Sequence, residues 1–275
     1  MRVITVTNRK GGCGKTTNAV HVAHWLALMG FRVLLVDLDS QGNDSDRLGL
    51  PRESGVFRLL VEGKAIQSVI RPTGRTGLDI LPGNDTTKVA AFTLPALGRS
   101  KSELGERLAG LDYDFVVIDT PPDGYLQEAA LVAADRVVVP TRLERDDVAG
   151  VVATLELIFT VRRDQRLAAL DAGEVVIAPT AYDRRIGEHT YNLGALAGAV
   201  RDLAGVALAV VAEPVPYRAR MAELPSLGMT IFERDAGSDA ALSLGTVAAV
   251  VSGVQGEWHI AQGEGDVRGV RDGRD

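Results

Sequence analysis

The chain has 275 residues, of which 46% are hydrophobic and 24% are charged, so it can bury a sizeable core and is not disordered over most of its length. Its 36 acidic and 30 basic residues give a net charge of −6, which excludes a protein that coats nucleic acid through overall charge and leaves any DNA contact to a local patch. The single cysteine, Cys13, excludes a disulfide framework, a four-cysteine zinc site and an iron–sulfur cluster held by one chain.

Short apolar runs alternate along the chain with segments of helical spacing, which predicts repeated strand–helix–strand units. Most runs are continuously apolar, as is typical of strands covered on both faces in a parallel sheet. The predicted strands are residues 3–6, 33–36, 78–81, 115–118, 137–139, 175–178 and 207–212, and the clearest helices are residues 16–29, 147–161 and 188–203.

We therefore predict an α/β fold, with a single domain over residues 1–252 in which a mostly parallel β-sheet is flanked by helices on both faces. Residues 253–275 are rich in glycine and carry charges of both signs, so we expect a disordered, frayed tail there.

The strongest signal is the segment Lys-Gly-Gly-Cys-Gly-Lys-Thr-Thr at residues 10–17, which follows a predicted strand and opens a predicted helix. Its glycines let backbone amides point at phosphate oxygens, and the helix N-terminus adds partial positive charge. Lys15 would neutralise the β and γ phosphates, and Thr16 would bind magnesium. The alternative is a glycine-rich turn with incidental lysines. The predicted nucleotide-binding residues of this loop are Gly11, Gly12, Cys13, Gly14, Lys15, Thr16 and Thr17.

Two apolar runs end in carboxylates. Asp37 and Asp39 follow one run and Asp119 follows another, at the strand ends where open parallel sheets place their ligands. One aspartate at the end of an apolar strand is the arrangement that holds magnesium through water opposite a phosphate loop. Such aspartates can instead cap the next helix, but three signals in this order favour a phosphate site.

These segments resemble the ParA/MinD family of deviant Walker A P-loop ATPases, and more narrowly the ParA/Soj-like partition proteins, over about residues 1–250. The resemblance rests on the loop with its second lysine, Lys10, and on the segments VDLDSQGN and DFVVIDTPP. Three later stretches resemble ParA proteins more narrowly: residues 138–141 with Gly150, residues 180–185 and residues 215–228. This chain departs from the family pattern at Cys13, at Ser40 and at the Tyr217-Arg218 pair.

The resemblance implies a P-loop NTPase fold and an ATPase that uses ATP and Mg²⁺ and forms a homodimer with ATP sandwiched between subunits. In that dimer Lys10 of each subunit would reach the phosphates held by the other, as an arginine finger does. Lys10, Lys15 and Asp39 are then the catalytic residues, and Asp39 positions the attacking water.

The resemblance also implies that Thr16, Asp37 and Asp119 bind the magnesium ion. For the adenine, the sequence indicates only the loops at 180–183 and 214–216, and we predict that Pro214 and Pro216 contact the base.

Five arginines and three acids lie between Arg184 and Arg220, which by composition alone indicates a solvated surface. In ParA-like proteins basic residues in this region hold DNA without reading its sequence, which implies DNA-binding roles for Arg185, Arg218 and Arg220. The expected partners are non-specific DNA and a ParB-like centromere-binding protein, and the expected location is the cytoplasm at the nucleoid.

Two alternatives remain open: a MinD-like regulator at a membrane surface and a metabolic ATP-dependent enzyme on the same fold. No apolar run approaches the roughly 18 to 20 residues that span a bilayer, and residues 253–275 lack an amphipathic basic face, so we expect no membrane partner. His21 and His24 are three residues apart on the first helix, and without a third ligand nearby we assign them to packing or surface roles.

Overall fold

The structure is a computed structural model that describes residues 1–168, 170, 174–204, 209–254, 256–260 and 267–271. The strands of its central sheet are β1 (Arg2–Val6), β2 (Val33–Asp37), β3 (Arg71–Arg75), β4 (Leu78–Leu81), β5 (Phe115–Asp119), β6 (Arg136–Thr141), β7 (Val175–Pro179) and β8 (Ala209–Val211). They lie in the order β3-β4-β2-β5-β1-β6-β7-β8, and every pair is parallel except β3 with β4. The predicted, mostly parallel sheet is confirmed.

Helices cover both faces of this sheet. They are α1 (Lys15–Leu28), α2 (Asn43–Arg47), α3 (Gly55–Leu60), α4 (Asp85–Ala96), α5 (Glu103–Leu108), α6 (Tyr125–Ala133), α7 (Asp147–Asp164), α8 (Gly187–Ala204), α9 (Ala219–Leu227), α10 (Ile231–Arg234) and α11 (Asp239–Ser252). Alternate strand residues point to opposite faces, so the sheet buries apolar side chains against α1, α10 and α11 on one side and against α3 to α8 on the other. This double burial explains why the strands are continuously apolar in the sequence.

Within the central sheet, the sequence did not predict β3, which lies at the edge. It carries Pro72 and Gly74, and its register with β4 shifts between Pro72 and Arg75. Proline cannot donate to a β-ladder and is therefore confined to edges and bulges. Because β3 contains Pro72 and Gly74 instead of a run of large apolar residues, it lacks the pattern on which strand prediction depends. At the other edge, β8 ends at Val211, one residue before the end of the predicted 207–212, and residues 205–208 lie outside the described part of the chain.

Beyond α11, two short strands, β9 (Gly256–Ile260) and β10 (Val267–Arg271), pair with each other in an antiparallel ladder. The expectation of a disordered, frayed tail over 253–275 stays a prediction, and within that range the main chains of these ten residues are paired. Residues 255, 261–266 and 272–275 lie outside the described residues, and the domain boundary at residue 252 stays a prediction. Within the described residues, no helix is both long and apolar enough to cross a membrane.

Candidate nucleotide site

The phosphate loop connects the end of β1 to the start of α1, as the sequence predicts. Gly12 and Gly14 both have positive φ, 71° and 95°, and Gly14 is the residue immediately before the helix. A Cβ atom on Gly14 would lie 3.3 Å from Oγ1 of Thr180, so both backbone angle and space require glycine there. The Thr180 hydroxyl donates to the backbone oxygens of Cys13 and Thr141, at 3.1 Å each. Thr180, the residue after β7, thus holds the phosphate loop in position, and no local sequence pattern indicates this contact.

The first turn of α1 presents Lys15 and Thr16. Lys15 is buried, and its ammonium donates to the backbone oxygen of Lys10 at 3.1 Å. The hydroxyl of Thr16 donates to Oδ2 of Asp119 at 2.7 Å. This bond joins the start of α1 to the end of β5, and the assignment of both residues to magnesium stays a prediction.

Asp37 and Asp119 are neighbours in the sheet, because β2 and β5 pair in parallel with these two residues in register. Both side chains are buried, and burial together with the neighbouring carboxylates raises the pKa of each, that of Asp119 to about 7. Oδ1 of Asp37 accepts a hydrogen bond from the backbone N–H of Asp39 at 3.1 Å. The predicted carboxylate pair is therefore assembled by strand order.

Asp39 has a different environment from Asp37. It is partly exposed, and its Oδ1 accepts a hydrogen bond from the backbone N–H of Gln41 at 3.0 Å. It lines the cavity above the phosphate loop, whereas Asp37 lies behind it. Of the two carboxylates, Asp39 is the one that a water molecule in the cavity can reach.

A third carboxylate, Asp44, joins the two buried ones, and sequence reasoning missed it. Asp37, Asp44 and Asp119 each place one oxygen within 4.8 Å of the other two. The only sequence signal for Asp44 is an acidic residue in the first turn of α2, which is a common position for aspartate in any helix. The hydroxyl of Thr16 and these carboxylates are hard oxygen ligands of the type that magnesium prefers, so the residues present fit that ion.

The cavity beside these groups has a volume of about 860 Å³. The predicted residues that line it are Gly11, Gly12, Gly14, Lys15, Thr16, Thr17 and Asp39. Arg47 also lines it, and burial lowers the pKa of this arginine. Predicted residue Cys13 is buried in the loop instead, where its thiol lies 3.1 Å from the backbone oxygen of Lys10 and burial raises its pKa. A cavity of this size is in the range of small-ligand sites in proteins.

The residues named for adenine lie in two loops that contact each other. The backbone N–H of Tyr182 donates to the oxygen of Val215 at 3.0 Å, and Tyr182 and Pro216 form a single β-bridge. Pro216 lines a smaller groove with Arg185 and Arg218, and neither Pro214 nor Pro216 lines the 860 Å³ cavity. The adenine assignment stays a prediction.

Lys10 does not line the cavity in the single chain. Its ammonium lies 2.5 Å from Oδ1 of Asp147 and 3.9 Å from Glu144, at the N-terminus of α7. The hydrogen bond to Asp147 raises the pKa of Lys10. Asp147 is almost fully buried and also accepts a hydrogen bond from the backbone N–H of Glu144 at 2.8 Å. The second lysine of the loop is therefore held by α7.

Each arginine named for DNA binding forms an ion pair with an aspartate. Arg185 contacts Asp183 at 2.6 Å, Arg220 contacts Asp235 at 2.6 Å, and Arg218 contacts Asp239. All three guanidinium groups are at least half exposed. Exposed ion pairs contribute about 0 to 1 kcal/mol, so these arginines can exchange their partner for a phosphate.

His21 and His24 form specific buried contacts rather than surface ones. The backbone N–H of Ile231 donates to Nε2 of His21 at 3.0 Å, which leaves Nδ1 to donate to the oxygen of Thr17 at 2.6 Å. Nδ1 of His24 lies 2.7 Å from the hydroxyl of Thr230. Burial lowers the pKa of His21 to about 3 and that of His24 to about 4. Both rings also contact Phe232 edge to face. The pair thus fastens α10 to the helix that follows the phosphate loop.

Residues 1–169 match the model of the AAA domain family. The chain is 37% identical over 235 residues to the chromosome-partitioning ATPase Soj of Thermus thermophilus, covering 84% of this chain and 87% of that protein. A McdA–ATP complex from Cyanothece shares the fold with a TM-score of 0.81 and 18% identity, over 95% of this chain and 99% of that one. Cobyrinic acid a,c-diamide synthase from Mycobacterium smegmatis, solved with ADP and magnesium, has a TM-score of 0.70 and 29% identity, over 90% and 92% of the two chains.

These likenesses cover the phosphate loop, both carboxylate-bearing strands and most of the remaining chain. They agree with a site in which a lysine and a threonine at the start of α1 line the cavity, while Asp37 and Asp119 lie behind it at two adjacent strand ends. The chain belongs to the ParA/Soj-like family of P-loop ATPases.

Proposed function

We propose that the protein is a magnesium-dependent partition ATPase that forms an ATP-sandwich dimer, binds DNA without sequence preference and segregates plasmid or chromosomal DNA. The observation that carries the proposal is the single cavity in which Lys15, Thr16 and Asp39 meet beside the phosphate loop. The 37% identity to a chromosome-partitioning ATPase supports partition as its biological role.

Each group at the cavity has its own chemical task. The loop amides, the N-terminus of α1 and Lys15 bind the phosphate oxygens and offset their charge. Thr16, Asp37 and Asp119 would hold magnesium, which neutralises charge between the β and γ phosphates. Asp39, the carboxylate that reaches the cavity, orients the attacking water. Hydrolysis is slow until the partner protein stimulates it.

Lys10 connects hydrolysis to dimer formation. In the single chain its charge is balanced by Asp147 and Glu144 on the α7 side. In the dimer it leaves these carboxylates for the phosphates held by the partner subunit, where a cation stabilises charge on the transferred phosphoryl group. Hydrolysis therefore requires two chains, and product formation weakens the contact that holds them together.

DNA binding depends on dimerisation, which brings together two copies of a weakly positive patch formed by Arg185, Arg218 and Arg220. Arg185, Arg218 and Arg220 are exposed, but each is paired with an aspartate, so in one chain the charge of these three guanidinium groups is partly neutralised. Two patches in one dimer bind together, and each phosphate neutralised adds a salt-dependent contribution. ATP thereby controls attachment to nucleoid DNA in the cytoplasm, and a ParB-like protein releases the dimer by stimulating hydrolysis.

The test is co-sedimentation with non-specific duplex DNA and, in parallel, with anionic liposomes, each with no nucleotide, with ADP or with ATP and magnesium. Asp39→Ala is included to hold the ATP state, and Lys15→Ala to remove nucleotide binding. Asp46→Ala is the matched control, because Asp46 is a partly exposed carboxylate on α2 that pairs with Arg52. We expect DNA binding only with ATP, retained by Asp39→Ala, lost with Lys15→Ala and weakened steeply by salt.

Three results would contradict parts of this proposal. Normal hydrolysis by Asp39→Ala would remove its water-positioning role. Binding to liposomes instead of DNA would favour a MinD-like function. Binding to neither would favour a metabolic ATP-dependent enzyme, a candidate supported by the 29% identity to cobyrinic acid a,c-diamide synthase.

A further inference from the structure

Arg47 places a guanidinium group on the wall of the nucleotide cavity. It is the last residue of α2, a five-residue helix that follows the turn carrying Asp39. Asn43 and Arg47 are four residues apart, so they lie on one face of α2, and both line the cavity. The short helix therefore directs this arginine towards the space beside the phosphate loop.

Arg47 has no direct partner in the described part of the chain. It forms neither a hydrogen bond nor an ion pair there, although its side chain is partly buried. Among the acids that act on it electrostatically, Asp44 has the largest effect, yet neither oxygen of Asp44 accepts a hydrogen bond. The other two, Asp119 and Asp46, accept hydrogen bonds from other side chains. A charge removed from water is costly unless it is paired, so Arg47 is free to bind an anionic ligand.

The other cations that line the cavity are placed differently. Lys15 directs its ammonium to a backbone oxygen of the phosphate loop at 3.1 Å. Arg142 is half exposed and forms an ion pair, and Lys88 is exposed on α4. Among the described residues of the cavity wall, Arg47 is thus the cation that is both sheltered and without a hydrogen-bond partner. A guanidinium group presents a planar fork of N–H donors that matches the oxygens of a phosphate.

The position of the cavity indicates which part of the nucleotide Arg47 faces. Pro214 and Pro216, the residues named for adenine, do not line the cavity, whereas the phosphate loop and Asp39 do. A nucleotide held by the loop therefore places its phosphates here rather than its base. Asp39 orients the water that attacks the terminal phosphate in the proposed reaction, and Arg47 follows Asp39 on the same short segment after β2.

We propose that Arg47 binds the γ-phosphate of the ATP held by its own chain. This inference rests on the proposed function, which supplies an ATP at the phosphate loop with Asp39 beside its γ-phosphate. Lys10 reaches that phosphate only from the partner subunit, whereas Arg47 is available in a single chain. One chain would therefore distinguish ATP from ADP before it dimerises.

The experiment measures the affinity of the full-length chain for mant-labelled AMPPNP and ADP by fluorescence titration, in excess magnesium and at chain concentrations too low for dimerisation. With Arg47→Ala, we expect the affinity for mant-AMPPNP to fall by about tenfold or more, the scale of one hydrogen bond to a charged group, while that for mant-ADP is unchanged. Arg47→Lys keeps the charge but not the planar fork, and it should retain part of the affinity for mant-AMPPNP.

Arg58→Ala is the matched control. Arg58 is also a partly buried arginine in the last turn of a short helix, α3, but it does not line the cavity. Its replacement should leave both affinities unchanged. Circular dichroism verifies that Arg47→Ala is folded, and Arg47→Gln takes its place if it is not.

Two results would overturn the proposal. An equal loss of affinity for both nucleotides in Arg47→Ala would mean that Arg47 acts through the fold or on phosphates that ATP and ADP share. No loss for either would mean that its charge serves only the neighbouring carboxylates. Co-sedimentation of the wild type with DNA separates this role from the proposed function. ATP-dependent DNA binding by the wild type, without an AMPPNP-selective loss in Arg47→Ala, refutes the role of Arg47 alone. A wild type that binds neither nucleotide refutes both.

Discussion

The buried ring of His21 gives a pH dependence of stability whose sign and size follow from the structure. Its Nε2 must stay unprotonated to accept the N–H of Ile231, and burial lowers its pKa from 6.5 to about 3. Between these two values the unfolded chain binds a proton that the folded chain does not, so stability is lost as pH falls below 6.5. At about 1.36 kcal/mol per pH unit, the loss from this histidine reaches about 2 kcal/mol at pH 5.

The buried carboxylates act in the opposite direction. The pKa values of Asp37, Asp44 and Asp119 are raised by burial first, so the folded chain binds their protons more tightly and gains stability as pH falls. The pH profile of the wild type alone would mix these effects with that of His21. The quantity to measure is therefore the difference in unfolding free energy between the wild type and His21→Leu, which no longer titrates at this position.

Urea unfolding followed by circular dichroism from pH 7.5 to pH 5, without nucleotide, measures that difference. At pH 7.5 we expect His21→Leu to cost about 1 to 3 kcal/mol, because the N–H of Ile231 loses its buried acceptor. The difference should shrink by about 2 kcal/mol by pH 5. Leu26→Ala, also buried on α1 but without a titrating group, should cost the same at every pH. If the difference in unfolding free energy between wild type and His21→Leu stays constant with pH, the conclusion that the His21 ring is neutral and makes two hydrogen bonds is refuted.

Other contacts give further expected outcomes. Asp147→Asn weakens the hold on Lys10 in the single chain, so ATP-dependent dimerisation measured by sedimentation velocity should occur at lower protein concentration, and an unchanged concentration dependence would contradict this. Asp235→Asn releases Arg220, and non-specific DNA affinity should rise by up to about fivefold, the upper range for an exposed ion pair, with a steeper salt slope. Gly14→Ala places a Cβ at φ 95°, and it should abolish nucleotide binding measured by fluorescent ATP analogue titration while the chain stays folded; retained binding would show that the loop tolerates this change.

The sequence by itself determined the features that depend on neighbours along the chain. The phosphate loop, the seven apolar strands and the helix that begins at Lys15 are local patterns, and each is found close to its predicted position. The meeting of Asp37 with Asp119 was also predictable, because strand ends of a parallel sheet share one edge and both aspartates end apolar runs. Edge strand β3 was not predicted because Pro72 breaks the pattern of apolar residues.

Tertiary structure alone decided which distant groups become partners. Lys10 forms an ion pair with Asp147, His21 accepts a hydrogen bond from the backbone N–H of Ile231, and Asp44 lies in a cluster with Asp119. In each case the two residues are separated by a large part of the chain, and nothing in the local pattern of either one marks the other. Helices and strands leave a local periodicity in the sequence because their hydrogen bonds and buried faces repeat at short intervals, whereas a contact between elements depends on how the whole sheet orders its strands and packs its helices.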